Sequence, residues 1–317
     1  MALRHLLYSV STTAFLMTPA SAQEINIGVP SWAAAQVITD IMAKVLRTEL
    51  GAEVNLIPGT NPVIFEAMNT GDLDVHPDVW LPNQQNLVDK YVTELGTVAL
   101  SENPYDAGRG ICVTQATVDA LGIDDIYDLT DPDIAREFDT DGDGKGEYWV
   151  GAAGWASTTV ELVRMQSYGV SETFDLMQMD EEAGMALIRA AEQSGQPFAT
   201  NCVRPNVMFK IADLVMLEEP AYDEAKWNMV TPTESANWLQ EADVEVAWPS
   251  IHVHVAYATR LQDEQPEAAD VLRRMSFETA MIEDFIFAML EEKQAPAEVA
   301  DAWIEANPDR IRAWLGY

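Results

Sequence analysis

The first part of the chain alternates short apolar runs with helical periods, and this alternation most constrains the fold. An alternating run at 24–29 precedes helical periodicity over 33–50, a second strand at 54–57, a helix opening at Asn61 and an extended segment at 74–80. Strands that alternate with helices in this way predict a sheet with helices on both faces. In that architecture, ligands bind beyond the carboxyl ends of the strands.

The same order then repeats more loosely. Strand-like segments lie at 109–114, 147–152, 198–203 and 244–249, and from about residue 264 the chain is almost wholly helical. Because no Gly/Ser-rich linker separates the two parts, we expect an α/β fold of two lobes joined by crossing strands, with a ligand cleft between them. We assign 23–112 and 258–317 to the first lobe and 113–257 to the second.

Charge excludes several classes of partner. The 317 residues include 52 Asp and Glu against 18 Lys and Arg, a formal net charge of −34. So acidic a chain is repelled by phosphate backbones and anionic lipid, and we therefore expect no nucleic-acid partner. No segment after the first 22 residues has the ~20 apolar residues that a membrane span needs. We expect a monomer that is not embedded in a membrane.

The first 22 residues are typical of an export signal. A basic start at Arg4 and an apolar stretch precede Ala20-Ser21-Ala22, a small-x-small pattern that predicts cleavage after Ala22 and a periplasmic location. In such an oxidising compartment, Cys112 and Cys202 can form one disulfide. Two buried thiols too far apart to bridge are the alternative.

Four of the nine tryptophans stand at predicted strand ends. They are Trp32, Trp80, Trp155 and Trp248. Together they would form an aromatic box, which suits a cation without N–H donors because ring faces attract the charge and methyl groups need no hydrogen bonds. Ordinary core packing is the alternative for any one of them.

A short acidic loop has the spacing of a calcium site. Asp139, Asp141 and Asp143 occupy alternate positions before a glycine; the Lys145 carbonyl and the Glu147 carboxylate complete the candidate ligand set. Position 12 of an EF-hand would hold Glu, but this chain has Val150. We therefore expect an EF-like structural Ca²⁺ site, with an acidic surface turn as the alternative.

Enzyme signatures are absent from the sequence. It contains no GxSxG, GxxxxGK[ST], helix-opening GxGxxG or HExxH motif. We therefore expect no catalytic residues. A secreted calcium-dependent hydrolase that uses a carboxylate pair stays open as an alternative.

The segment 71–82, which contains Trp80 and Pro82, resembles part of the exported solute-binding proteins of ABC importers for glycine betaine, choline and related methylated amines. The opening strand before Trp32 and the segment 246–250 are similar to that family as well. The resemblance implies a two-lobed periplasmic binding protein (type II, flytrap) that works with an ABC permease. It also implies that Trp32, Trp80 and Trp248 face a cation.

Within this family, the His-Pro-Asp sequence before Trp80, the acidic loop and the all-tryptophan box most resemble the trimethylamine N-oxide branch. Trimethylamine N-oxide is therefore the favoured ligand and glycine betaine the next. Choline is less favoured because Arg109-Gly110 stands where choline binders have Tyr, and Tyr105 is offset.

The residue that holds the polar end of the ligand is left open. The candidates are His76, Glu161, His252 and His254. An amino-acid ligand on the same fold is the other alternative; it would need an arginine clamp, for which Arg109, Arg164 and Arg204 are the candidates.

Overall fold

The computed structural model describes residues 24–153, 155–232 and 234–317. The predicted export signal at 1–22 lies outside these ranges. Among the helices described, none combines the length with the apolar composition that crossing a membrane requires.

The strands alternate with helices as predicted. The strands are β1 Glu24–Val29, β2 Glu53–Pro58, β3 Val75–Leu81, β4 Val98–Leu100, β5 Tyr105–Thr114, β6 Gly146–Gly151, β7 Phe174–Gln178, β8 Ala199–Arg204, β9 Leu214–Met216, β10 Trp227–Asn228, β11 Asp243–Val244 and β12 Ile251–Ala258. The α-helices are α1 Ala33–Leu50, α2 Asn61–Thr70, α3 Gln85–Val88, α4 Gln115–Leu121, α5 Pro132–Ala135, α6 Ala156–Ser167, α7 Glu181–Ser194, α8 Met208–Ile211, α9 Trp238–Glu241, α10 Leu261–Glu264, α11 Pro266–Arg274, α12 Thr279–Leu290, α13 Pro296–Ala306 and α14 Pro308–Leu315. A π-helical segment spans Asp89–Glu94, and 3₁₀ turns lie at Ile126–Thr130, Arg136–Phe138, Val170–Glu172 and Glu224–Lys226.

One mixed sheet contains most of the strands in the order β2-β1-β3-β12-β5-β8-β6-β7, with β4 beside β12 and β9 beside β5. Strands β1, β2 and β3 are parallel to one another, as are β6, β7 and β8. We call the part built on β1–β4 and β12 the first lobe and the part built on β6–β9 the second lobe. Each lobe thus contains three parallel strands connected through helices, in agreement with the predicted two-lobed α/β fold.

Strand β5 joins the two lobes. Residues 105–107 pair with β12, whereas residues 108–113 pair with β8, so β5 changes partners at Gly108. Strand β12 pairs with β3 and β4 along its length and therefore lies in the first lobe. The predicted lobe bounds at 112 and 257 stay a prediction.

Local sequence explains the helices that flank the first strands. Helix α1 buries an apolar face against the sheet and ends at Gly51, whose φ of 67° suits a residue without a Cβ. Helix α2 begins at Asn61 with Pro62 in its first turn, where a missing N–H costs nothing, and ends at Gly71. The parallel pairing of β1 with β3 places the carboxyl ends of both strands at the same edge of the sheet.

The predicted strand at 244–249 was wrong. Only Asp243–Val244 is extended, as β11 in a two-stranded ribbon with β10, and Trp248 lies in an irregular segment. The long strand is β12, which begins after Pro249. Proline lacks the N–H that a ladder needs, so Pro249 prevents β12 from extending further towards the N-terminus.

Helix α12 contacts both lobes. Ile282 and Phe285 are buried in the core of the first lobe, and Phe287 packs on an apolar cluster of the second. Three ion pairs also cross to the second lobe. They are Arg204–Glu283 at 2.7 Å, Lys210–Asp284 at 2.7 Å and Arg189–Glu291 at 2.7 Å. The C-terminal helices therefore tie the lobes together in addition to β5.

A disulfide fixes the second lobe to the crossing strand. Cys112 in β5 and Cys202 in β8 are bonded, with their Cα atoms 5.8 Å apart, and both are fully buried. The bond joins two residues that are 90 positions apart in the sequence. It therefore strongly reduces the number of conformations open to the unfolded chain.

Replacing both cysteines by serine is expected to lower the free energy of unfolding by about 2–4 kcal/mol. Guanidinium titration followed by circular dichroism measures the change. Dithiothreitol should destabilise the wild type by a similar amount and leave the double variant unchanged. An identical midpoint for wild type and double variant would contradict the expected contribution.

Candidate functional site

A buried carboxylate holds the two tryptophans of the first lobe. The Nε1 groups of Trp32 and Trp80 donate to Oδ2 of Asp78 at 2.5 and 3.0 Å, and the Tyr105 hydroxyl donates to Oδ1 at 2.7 Å. Burial raises the pKa of Asp78, and these three hydrogen bonds oppose that rise. Both rings therefore have fixed orientations at the carboxyl ends of β1 and β3.

Tyr105 also contacts Trp80 directly. Their ring centroids are 6.5 Å apart with an interplanar angle of 87°, an edge-to-face arrangement. Sequence reasoning treated Tyr105 only as an offset tyrosine and used Asp78 only as part of the His-Pro-Asp sequence, not as the acceptor for the two indoles. The signal for Asp78 was present, because an aspartate facing the core from a buried strand must have hydrogen-bond donors around it.

His76 supports this arrangement from within the core. Its Nδ1 accepts a hydrogen bond from the backbone N–H of Asp78 at 3.2 Å, so Nε2 carries the proton and donates to Asn61 Oδ1 at 3.0 Å. Burial lowers the pKa of His76 to about 3. His76 is therefore neutral and structural.

The second lobe repeats the pairing of an indole with a buried carboxylate. Glu161 in α6 is fully buried and accepts from Trp248 Nε1 at 3.2 Å and from the Tyr148 hydroxyl at 2.9 Å. Arg164, also fully buried, donates to both Glu161 oxygens at 2.9 and 3.2 Å and to Glu219. Arg164 thus pairs with two carboxylates, and a buried charge requires such partners.

Two of the predicted tryptophans line one cavity of about 680 Å³ at the carboxyl ends of β6 and β8. Trp155 and Trp248 lie on its wall, with Trp149 beside them. Asn83, from the loop after Trp80, is the first-lobe residue of the lining. The lining residues are Asn83, Arg109, Trp149, Trp155, Ser157, Val160, Glu181, Met185, Asn201, Val203, Asn206, Met208 and Trp248.

The aromatic rings of this cavity are packed against fixed neighbours. Trp248 lies 5.5 Å from Trp227 and Trp155 lies 6.2 Å from Trp149, measured between ring centroids. Trp155 is 36% exposed. Arginine Cζ atoms lie 5.4 Å (Arg109) and 5.7 Å (Arg164) from the Trp248 ring centroid, within cation–π range. The cavity can therefore offer indole surface to a small ligand.

A larger cleft of about 800 Å³ lies among the C-terminal helices. Arg274, Arg310, Glu278 and Asp309 line it, and it is remote from the strand ends where α/β folds bind ligands. We therefore place the candidate site in the aromatic cavity.

The four predicted tryptophans thus lie in two groups, and their convergence into a single box stays a prediction. Trp32 and Trp80 share Asp78, whereas Trp155 and Trp248 line the cavity.

The residues considered for the polar end of a ligand make hydrogen bonds to other groups of the protein. Besides His76 and Glu161, His252 bonds Asp106 at 3.0 Å, and His254 bonds the Ser101 carbonyl oxygen at 3.0 Å. Cavity-lining residues that sequence reasoning missed include Asn83 and Asn201.

The three arginines considered for an amino-acid ligand have different surroundings. Arg164 is buried beneath Trp248, and Arg204 makes a bidentate pair with Glu283 on α12. Arg109 is the one that lines the cavity.

The acidic loop brings three of the five predicted calcium ligands together. Asp139, Asp141 and Glu147 each place a carboxylate oxygen within 4.8 Å of the others. Backbone N–H groups of Gly142 and Gly144 donate to Asp139 and lower the pKa of its carboxyl. The Asp143 carboxylate accepts from the Lys145 backbone N–H within the loop. The predicted ligand atom of Lys145 is its backbone carbonyl oxygen, which stays a prediction; its side-chain Nζ lies 3.6 Å from Asp175.

Two α/β lobes joined by a shared strand thus form an aromatic cavity that is lined by residues from both. A family model described as the substrate binding domain of an ABC-type glycine betaine transport system matches residues 23–306. The chain belongs to this family. The family is described as a substrate-binding domain and not as an enzyme, so the hydrolase interpretation is not carried further.

Named relatives are distant in sequence. The glycine betaine/proline betaine-binding periplasmic protein of Salmonella typhimurium is 24% identical over 216 residues, which cover 66% of this chain and 64% of that protein, just under two thirds. The Escherichia coli protein of the same name is 23% identical over 263 residues, which cover 79% of this chain and 76% of that protein. The crystal structure of lactococcal OpuAC complexed with glycine betaine is similar, with a TM-score of 0.59 at 18% identity. The alignment covers 92% of this chain and 99% of that one, so the fold is shared.

The neutral state of His76 predicts a specific pH dependence. Its pKa in the folded protein, about 3, lies below the usual 6.5. As pH falls, the His76 imidazole is protonated in the unfolded chain before it is protonated in the folded protein. The stabilisation of the fold that is present above pH 6.5 is therefore lost as pH falls towards 3. Between pH 7.5 and 4.5 we expect His76 to account for a loss of about 2–3 kcal/mol.

Denaturant titrations of the wild type and His76→Gln at both pH values test this. The variant should lose less stability on acidification, although it starts less stable. Asp78 changes the free energy of unfolding in the opposite direction in both proteins. Its raised pKa favours the folded state at low pH. Parallel pH profiles for the two proteins would contradict a neutral His76.

Proposed function

We propose that this protein is the exported solute-binding component of an ABC importer and that it binds a small methylated amine. Trimethylamine N-oxide is the favoured ligand, glycine betaine the next and choline the least favoured. The observation that carries the proposal is the cavity at the strand ends, where Trp155 and Trp248 present indole surface and Trp248 is anchored by Glu161.

A methylated nitrogen fits such a wall for a physical reason. It carries positive charge, spread over methyl groups, but has no N–H to donate. Indole faces supply attraction without requiring hydrogen bonds, and each contributes roughly 0.5–2 kcal/mol when water is excluded. We infer that Trp32 and Trp80, held by Asp78, approach the same ligand from the first lobe when the lobes close around it.

The partner we propose is the membrane permease of the importer. Relatives whose names describe periplasmic glycine betaine binding support this role and a periplasmic location. Export would follow from removal of residues 1–22 after Ala22. The ligand would be released unchanged to the permease.

An amino-acid ligand is the second candidate, because Arg109 lines the cavity and could pair with a carboxylate. Proline tests this alternative directly, since it carries a carboxylate but no methylated nitrogen. Saturable binding of proline in preference to every methylated amine would favour it.

Trp248→Ala is expected to weaken binding of the preferred methylated amine by about tenfold or more, because it removes one ring and the hydrogen bond to Glu161. Trp80→Ala should weaken binding similarly if the first-lobe rings complete the site. Isothermal titration calorimetry with trimethylamine N-oxide, glycine betaine, choline and proline gives the affinities.

Trp238→Phe in α9 is the matched control and should bind as the wild type does. Thermal unfolding must remain cooperative in every variant. Normal affinity in both alanine variants would show that the tryptophans are misassigned, and no binding of any methylated amine by the wild type would refute the proposed function.

We also propose that the acidic loop binds a structural Ca²⁺. The carboxylates of Asp139, Asp141 and Glu147 supply the hard oxygen ligands that calcium prefers, with Asp143 and the Lys145 carbonyl as further candidates. The loop leads into β6, which ends close to Trp155. A bound ion would therefore stiffen the wall of the cavity.

Calcium at 100 times its dissociation constant should stabilise the fold by about 2.7 kcal/mol. Differential scanning calorimetry in calcium and in chelator measures this, and Asp139→Asn should abolish most of the difference. Glu94→Gln, an exposed acid of the first lobe, is the control and should retain it. Identical unfolding of the wild type in calcium and in chelator would refute the site.

A further inference from the structure

Four acidic side chains are buried in the part of the chain that the structure describes. They are Asp74, Asp78, Glu161 and Glu283. The first, third and fourth each pair with an arginine, namely Arg260, Arg164 and Arg204. Asp78 is fully buried and has no cationic partner within residues 24–153, 155–232 and 234–317. A buried charge ordinarily requires such a partner.

The hydrogen-bond donors around Asp78 are all uncharged. The indoles of Trp32 and Trp80 donate to Oδ2, and the Tyr105 hydroxyl donates to Oδ1. His76, two residues before Asp78 on the same strand, is neutral. This environment satisfies the oxygens of an ionised carboxylate but leaves its charge unbalanced. Burial raises the pKa of Asp78, so its ionised form would gain from a cation placed near it.

A ligand cannot reach this carboxylate, but it can reach the two indoles. Asp78 is fully buried, whereas Trp32 and Trp80 are partly exposed at the carboxyl ends of β1 and β3. Each indole therefore connects the buried charge to a surface that a ligand can touch.

An indole that donates to a carboxylate attracts a cation more strongly than a free indole does. A hydrogen bond to an ionised acceptor is stronger than one between neutral groups, and it shifts electron density from the N–H towards the ring. The attraction between a ring face and a cation is electrostatic, so added electron density strengthens it. The carboxylate also acts on the cation directly, because a buried charge is only weakly screened.

We propose that Asp78 supplies the countercharge for the methylated nitrogen of the ligand, acting through Trp32 and Trp80 without touching the ligand. Asp78 is then a positioning residue that also makes the site prefer a cation to an uncharged group of the same shape. The ligand takes the role that an arginine has beside each of the other three buried acids. This inference rests on the proposed function and on lobe closure, and it assigns the origin of the charge selectivity.

Asp78→Asn tests the charge separately from the hydrogen bonds. The asparagine carbonyl oxygen can accept from both indoles, and its NH₂ group can donate to the Tyr105 hydroxyl, which also has acceptor capacity. Asp74→Asn is the matched control, because it makes the same change in the same lobe at a buried aspartate that pairs with Arg260. Glu94→Gln removes an exposed acid and controls for net charge.

The ligands are compared in pairs that differ in the charge at their centre. Glycine betaine is paired with tert-butylacetic acid, and trimethylamine N-oxide is paired with tert-butanol. In each pair, a quaternary carbon replaces the methylated nitrogen, so the shape is kept and the positive centre is lost. Isothermal titration calorimetry gives the Kd values, with competition against the tighter ligand for the weaker ones.

In Asp78→Asn, the affinity for the methylated amine that the wild type binds more tightly should fall about tenfold or more, as for loss of an opposite charge in a partly buried site. Its carbon analogue should bind as well as to the wild type or better, so the ratio of the two affinities shrinks. Asp74→Asn should lower the unfolding temperature but keep the wild-type ratio, and Glu94→Gln should match the wild type. Near-ultraviolet circular dichroism verifies that the rings stay ordered in Asp78→Asn.

Either of two results would overturn this inference alone. Equal losses for the methylated amine and its carbon analogue in Asp78→Asn would show that the residue only orders the rings. Unchanged affinity for the methylated amine in that variant would show that the charge of Asp78 does not act on the ligand. Failure of the wild type to bind any methylated amine would instead refute the proposed function itself, and with it this assignment.

Discussion

The hydrogen bond from an indole N–H to a buried carboxylate is the interaction on which the arrangement of the site depends. In the first lobe, Asp78 orients Trp32 and Trp80, and in the second lobe, Glu161 orients Trp248. A buried carboxylate needs donors, and an indole has a single N–H to give. Each therefore satisfies the other, and the ring faces are left available for packing or for a ligand.

The sheet topology determines which of these groups share a cavity. Strand β5 pairs with β12 at one end and with β8 at the other, so Tyr105 contacts Asp78 in the first lobe while Arg109 reaches the second-lobe cavity. One strand thus carries a supporting residue of the first lobe and a lining residue of the second. Residues that are near in sequence serve different parts of the site for this reason.

Much of the fold could be predicted because the periodicity of strands and helices is local. The strands before Trp32 and Trp80, the helix at Asn61 and the helical C-terminal part follow from nearby residues. Contacts between distant segments could not be predicted in the same way. The grouping of the tryptophans depends on lobe geometry, and the exposure of Arg109 and Asn201 to one cavity depends on the β5–β8 register.

Strand β12 shows the limit of local patterns. Its residues alternate as a strand should, but residues 244–247 alternate equally well, and the prediction placed the strand there. Pro249 lies between the two segments and excludes a continuous strand. The partners β3 and β4, far away in sequence, select the later segment.

Helix α12 is packed against both lobes. Any rotation of one lobe against the other must displace its contacts, and these differ in kind: Phe287 would have to slide across an apolar surface, whereas Arg189 and Lys210 reach their partners on flexible methylene stems. Ion pairs near the surface weaken as ionic strength rises, while apolar packing does not. The resistance of the molecule to hinge motion is therefore coupled to the salinity of its surroundings.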